Sequence, residues 1–271
     1  MFFDQQRIDR RESLRRAALM LGALTAAPRW SRAAAAEAAR GFDQVALSTA
    51  SLTEQKRQRG LWVMEVQLKP MRMVWIEKPG TDGNSQREQI WYQAYRAVNR
   101  ALPKPADDDT DPANELDPVP TRPMFIPELT LVTYDDPSRQ EPVQVLRDIV
   151  LPQAVKSINQ MESHRPGDPV LLDTVSVIQP VPDAAETPEQ EKWIYGVATW
   201  RGVDPNTDFF KVVLAGFTNG YEVRKNDGGQ EELWRKVLVQ RYARPGDRFD
   251  PNQAEFDFSG KAVWEFEPDA A

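Results

Sequence analysis

Cysteine is absent from the 271 residues and histidine occurs once. Without cysteine there can be no disulfide, thiolate zinc site, iron–sulfur cluster or cysteine nucleophile. The single His164 rules out two-histidine metal motifs and leaves one candidate for a Ser-His-Asp arrangement. No Gly-x-Ser-x-Gly elbow supplies a nucleophile, so a helix-end or surface role suits His164 better. Phosphate loops and dinucleotide fingerprints are also missing. Basic residues are outnumbered, 34 Lys+Arg against 41 Asp+Glu. That balance excludes a general nucleic-acid binder, which needs a basic surface.

Residues 1–36 have the three parts of an export signal. A basic stretch (Arg7, Arg10, Arg11, Arg15, Arg16) precedes an uncharged one from Ala17 to Pro28. The latter is shorter than the about 20 apolar residues that span a bilayer. Ala34-Ala35-Ala36 then offers a cleavage site before Glu37. Asp9-Arg10-Arg11-Glu12-Ser13-Leu14-Arg15 resembles a twin-arginine export motif, with Ser13 where that motif usually carries Phe. An ordinary secretory signal with a chance arginine pair, or a retained anchor, are the alternatives. The expected location is periplasmic or secreted, with no transmembrane span once the signal is cleaved. The signal holds seven basic and three acidic residues, so the chain after it is more acidic than the whole.

Residues 37–58 read as a linker or short surface helix. From residue 59 to 271 runs rich in Val, Ile, Trp, Tyr and Phe recur between Pro, Gly, Asp and Asn, the pattern of strands and turns. Trp62, Met64, Val66 and Leu68 alternate with polar neighbours, which points to antiparallel sheets with one wet face. The expected fold is mostly β, an antiparallel immunoglobulin-like β-sandwich. One helix is expected near 151–164, with Pro152 in its first turn and Val155, Ile158 and Met161 on one face. The domain could divide into two subdomains near 151–168. Residues 103–123 and 180–191 are acidic and Pro-rich and read as surface excursions. Arg-Pro-Gly-Asp occurs at 165–168 and 244–247, a type II turn used twice.

Candidate sites are few. No cofactor is required by any motif, although calcium has two candidate loops. Asp107, Asp109 and Asp111 alternate as in an EF-hand, but Pro112 and Pro118 occupy the Gly and Glu positions. Asp204, Asn206 and Asp208 repeat the alternation, with Phe209 and Ala215 in those places; a turn before a strand explains them equally well. Glu128 could belong to a glycosidase carboxylate pair, or be an edge or salt-bridge residue. Tryptophan is the most distinctive content. Trp62, Trp75, Trp91, Trp193, Trp200, Trp234 and Trp264 remain after the signal, as core packing or as stacking platforms for a ligand. The candidate ligand-binding set is Trp91, Tyr92, Tyr95 and Trp200. Trp91 and Tyr92 point to opposite faces of a strand, so one is exposed unless both faces are covered.

Several stretches resemble a group of exported proteins abundant in planctomycete bacteria, for which no activity is assigned. They include Trp91-Tyr92, Phe125 to Val132, Gly196 to Trp200, Val203-Asp204-Pro205, Thr218-Asn219-Gly220-Tyr221 and Arg244 to Asp247, and they spread over most of residues 60–250. A second likeness is to bacterial immunoglobulin-like lipoprotein domains, where a strand ending in Asn precedes a Phe-x-Pro-x-x-x-Leu-Val strand. Asn99 and Phe125 to Val132 fit it, with an insertion at 103–123 that is long for the pattern. The leading expectation is a non-enzymatic exported protein with a protein or polysaccharide partner in the cell envelope. A carbohydrate-binding module or carboxylate-based hydrolase is the alternative, and a calcium-dependent adhesion domain a third.

Overall fold

A computed structural model describes residues 41–58, 60–79, 85–103, 123–136, 138, 141–163, 166–226, 228–244 and 255–269. The export signal, His164, the loop positions Asp107, Asp109 and Asp111, and residues 245–247 of the second Arg-Pro-Gly-Asp lie outside the described residues. So does Arg165 of the first, whose Gly167 has φ +99°, as a type II turn requires.

The first sheet is built on one long strand, β4 (Ser85–Asn99). Along one edge β2 (Met64–Leu68) and β3 (Met71–Pro79) lie end to end, β2 pairing from Met64↔Asn99 to Leu68↔Tyr95 and β3 from Arg72↔Tyr92 onward with the register shifted by one residue. Between them Pro70 has no N–H to donate, and the side chain of Gln93 fills the break. Its Nε2 donates to the carbonyls of Lys69 (2.6 Å) and Ala94 (3.0 Å). Strand β10 (Ile194–Arg201) runs along the other edge of β4, and β1 (Gln44–Ala46) pairs with β2. β8 (Leu172–Asp173) joins β10 in parallel.

The second sheet repeats this construction. Strands β11 (Phe209–Ala215) and β12 (Tyr221–Lys225) lie end to end along β13 (Glu231–Ala243). At this break Gly216 has φ +81°, and a Cβ there would sit 1.9 Å from the Ile126 carbonyl oxygen. Only glycine fits both demands. β6 (Glu128–Tyr134) and β7 (Pro142–Arg147) extend the sheet beyond β11, and β15 (Val263–Pro268) lines the far edge of β13. β14 (Glu255–Phe258) pairs with both β13 and β3, so it links the two sheets. β5 (Met124–Phe125) and β9 (Gln179–Pro180) form a separate short pair.

The inner faces meet over one apolar core that includes Leu68, Trp91, Leu131, Phe210 and Tyr242. Trp91 meets Phe210 edge-on at 5.2 Å, and Phe210 stacks on Tyr242 at 4.9 Å. Burying such side chains contributes roughly 1.5–3 kcal/mol each. Tyr242 also donates its hydroxyl proton to Gln93 Oε1 across the sandwich. The outer face of the first sheet is covered as well. Val74, Ile90, Tyr92, Ala94 and Val197 pack against Ala154 and Ile158 of helix α2 (Pro152–Glu162). This helix occupies the predicted segment but turns differently: Met161 is exposed, and Ala154, Ile158 and Glu162 form the buried row. Three donors beneath Glu162 draw that edge inward.

Helix α1 (Leu52–Arg57) buries no side chain; Ser51 and Glu54 form its capping box. No division falls near 151–168. Strands from either side of that segment pair with each other, β4 with β10 and β6 with β11, and Gly41–Ala271 form one unit. Among the described residues no helix is long and apolar enough to cross a membrane.

Candidate functional site

The four aromatic candidates are all buried. Trp91, Tyr95 and Trp200 lie between the sheets, and Tyr92 lies beneath α2. Both faces of β4 are covered, so neither Trp91 nor Tyr92 reaches the surface, and the set is no exposed stacking platform. Trp91 and Trp200 are register partners. Tyr95 lies over Gly196, where a Cβ would come within 2.3 Å of its ring. Burial, reinforced by Asp148 and Asp173, raises the Tyr95 phenol well above its usual pKa. Its hydroxyl and the indole nitrogens of Trp91 and Trp200 have no hydrogen-bond partner among the described residues. The partly exposed tryptophans each lie under a cation: Trp75 under Arg87, Trp193 under Arg96, Trp234 under Arg224 and Trp264 under Lys236. Their rings are engaged within the chain.

The acidic alternation at Asp204, Asn206 and Asp208 builds a turn around a resident cation. Asp204 Oδ1 accepts from the Asn206 backbone N–H at 2.8 Å and from its side chain at 3.1 Å. The Arg244 guanidinium donates to the carbonyls of Pro205 (2.6 Å) and Thr207 (3.2 Å), with Asp208 Oδ1 3.7 Å away. Arg244 thus takes the carbonyl oxygens a calcium ion would need at this loop. Among the described residues, no group of three or more His, Asp or Glu side chains is arranged to hold a metal.

A buried ionic cluster fastens α2 to the first sheet. Glu162 pairs with Lys69 (2.7 Å) and Arg72 (2.8 Å) and accepts from the Tyr92 hydroxyl (2.8 Å). Burial alone would raise the Glu162 pKa, but Lys69, Tyr92 and Arg72 together hold it below the usual carboxylate value. Burial, Glu162 and its hydrogen bond push the Tyr92 phenol upward. Both Glu162 oxygens and the Tyr92 hydroxyl are engaged within this cluster, which suits a structural clamp.

The open site lies on the outer face of the second sheet, a groove of about 780 Å³. Val213 and Val237, with Ala215 packed against them, form its apolar floor. Glu128 stands opposite Ala215, Thr130 opposite Val213, and Arg147 opposite Thr130. One end is closed by Trp62 and the β11–β12 break. There Asn219 Oδ1 accepts from the Trp62 backbone N–H (2.9 Å), and Thr218 Oγ1 donates to the Trp62 carbonyl (2.7 Å). Thr218-Asn219-Gly220-Tyr221 therefore serves as the tie between this break and the entry to β2. Most charges on the walls are paired. Asp269 holds Arg235 at 2.8 Å, Glu267 holds Lys211 at 2.8 Å, and Asp148 accepts from the Leu129 N–H and the Thr174 hydroxyl. Of the groove residues, the sequence offers Glu128 as a hydrolase carboxylate or as an edge or salt-bridge residue, and does not mark Thr130 or Arg147 as site residues. The strand alternation that sends Glu128 and Thr130 outward was readable, but nothing showed that β7 would lie beside them.

No family model, curated protein or solved structure matches the chain.

Proposed function

We propose that the protein is an exported, non-catalytic binding component of the cell envelope, periplasmic or secreted, whose partner seats in the groove of the second sheet. The observation that carries this reading is the groove itself, an apolar floor between polar walls on a sheet face that no helix covers among the described residues. Its size falls in the range of about 300–1,000 Å³ typical of ligand sites. Three of its wall carboxylates, Asp148, Glu267 and Asp269, are already held by internal donors, which favours binding over a pair of acting carboxyl groups. A sugar platform draws less support, since its four aromatic candidates are buried.

The test is site-specific photo-cross-linking in the native cell. A photoreactive residue at Thr130 is expected to capture a discrete envelope component. The same residue at Gln160, exposed on α2, is expected to capture none. Equal or absent adducts at the two positions would overturn the assignment.

A further inference from the structure

We infer that the groove binds an extended peptide segment carrying one basic and one acidic side chain two residues apart. This deepens the proposed binding role and rests on it. Arg147 stands directly across from Thr130, and Glu128 lies two residues before Thr130 on the same strand. Glu128 and Arg147 are therefore diagonal neighbours on one sheet face, about 7–8 Å apart by strand geometry. Opposite charges so placed are ordinarily able to pair. Here both are exposed and neither makes a hydrogen bond or ion pair with any described residue. Their neighbours behave otherwise, since Arg235, Lys236 and Glu267 are each engaged. An anion and a cation left open side by side match a ligand that brings both charges.

The spacing selects an extended chain. Alternate side chains of a strand share a face at about 6.6–6.8 Å, close to the diagonal separation of Glu128 and Arg147. A basic side chain then meets Glu128, and the acidic one two positions on meets Arg147.

The experiment is calorimetric titration of the full chain with acetyl-Val-Lys-Ala-Glu-Val-amide. Saturable binding is expected, weakened about tenfold or more when both charged positions are Lys or both are Glu, as loss of one charged contact implies. Glu128→Gln and Arg147→Gln should each weaken it about tenfold while leaving the melting temperature unchanged, because both side chains are exposed and unpaired. The exchange of both charges, Glu128→Arg with Arg147→Glu, should transfer binding to the peptide in which Lys and Glu are interchanged. Absence of saturable heat, or affinity indifferent to both glutamine variants, overturns the inference. If the peptide fails but cross-linking from Thr130 still captures an envelope component, the ligand class falls and the groove stands. If both fail, the binding role falls with it.

Discussion

Lys69 Nζ lies 2.7 Å from Glu162 Oε2, with both side chains almost wholly withdrawn from solvent. This contact brings the last turn of α2 to the break between β2 and β3. It is the point at which a helix, a strand interruption and the outer face of the first sheet are held together.

Glu162→Gln should therefore be severely destabilising. Lys69 would keep its place while losing its anion and Arg72 would retain only Glu255, and breaking a buried pair in this way costs about 3–5 kcal/mol. Urea denaturation followed by fluorescence gives the value directly. The pH dependence has a defined sign. The Glu162 pKa is lowered in the folded chain, so its contribution is complete above the unfolded value of about 4.3 and fades as pH falls through the lower folded value. The wild type should lose stability across that acidic window more steeply than Glu162→Gln; parallel curves would show that the clamp is energetically silent.

Gly216→Ala should disrupt the second sheet locally. A methyl group would collide with the Ile126 carbonyl and demand a left-handed backbone of a residue that resists it. A loss of at least about 1–3 kcal/mol is expected from the backbone conformation alone. Gly229→Ala is the control. It shares a positive φ of 76° but has open space around it, so thermal melts should show the smaller loss there.

Arg244→Gln should loosen the turn at residues 204–208, because one guanidinium serves the carbonyls of Pro205 and Thr207. Millimolar calcium should leave the melting temperature of the wild type unchanged, since ligand binding to the folded state would otherwise raise it. An upward shift that vanishes in Asp204→Asn would revive the calcium reading of this loop.

The paired arginines make a prediction independent of the fold. Replacing Arg10 and Arg11 together by Lys keeps the charge of the basic segment but removes the twin-arginine motif. Precursor should then accumulate in the cytoplasm, as read by fractionation and immunoblotting. Export at the normal rate would assign the signal to the general secretory route.

The strands were legible because alternation is a local property. Met64, Val66 and Leu68 announce a buried face with no knowledge of their partners. Helix α2 was legible for the same reason, yet its buried row was misread. Apolar spacing alone picked Met161, whereas Glu162 is buried by charges contributed from residues 69 and 72. The burial of the aromatic candidates was hidden on a similar ground. Trp91 and Tyr92 share a strand whose two faces are covered by the second sheet and by α2, and both covers come from distant sequence. The groove was least legible of all, since Arg147 acquires its meaning only from the pairing of β7 with β6.

The hydrogen bond between Gln93 and Tyr242 joins positions 149 residues apart, and the one from Thr218 to the Trp62 carbonyl spans 156. During synthesis, the amino-terminal hairpin thus emerges long before the strands that cover its inner face. Its apolar surface, Trp91 and Tyr95 included, must wait for β11 and β13 to leave the ribosome. Folds dominated by such distant pairings reach their native state in milliseconds to seconds. The nascent chain therefore passes through an interval in which its most aromatic strand is bare, and a chaperone that recognises exposed aromatic strands has its window then.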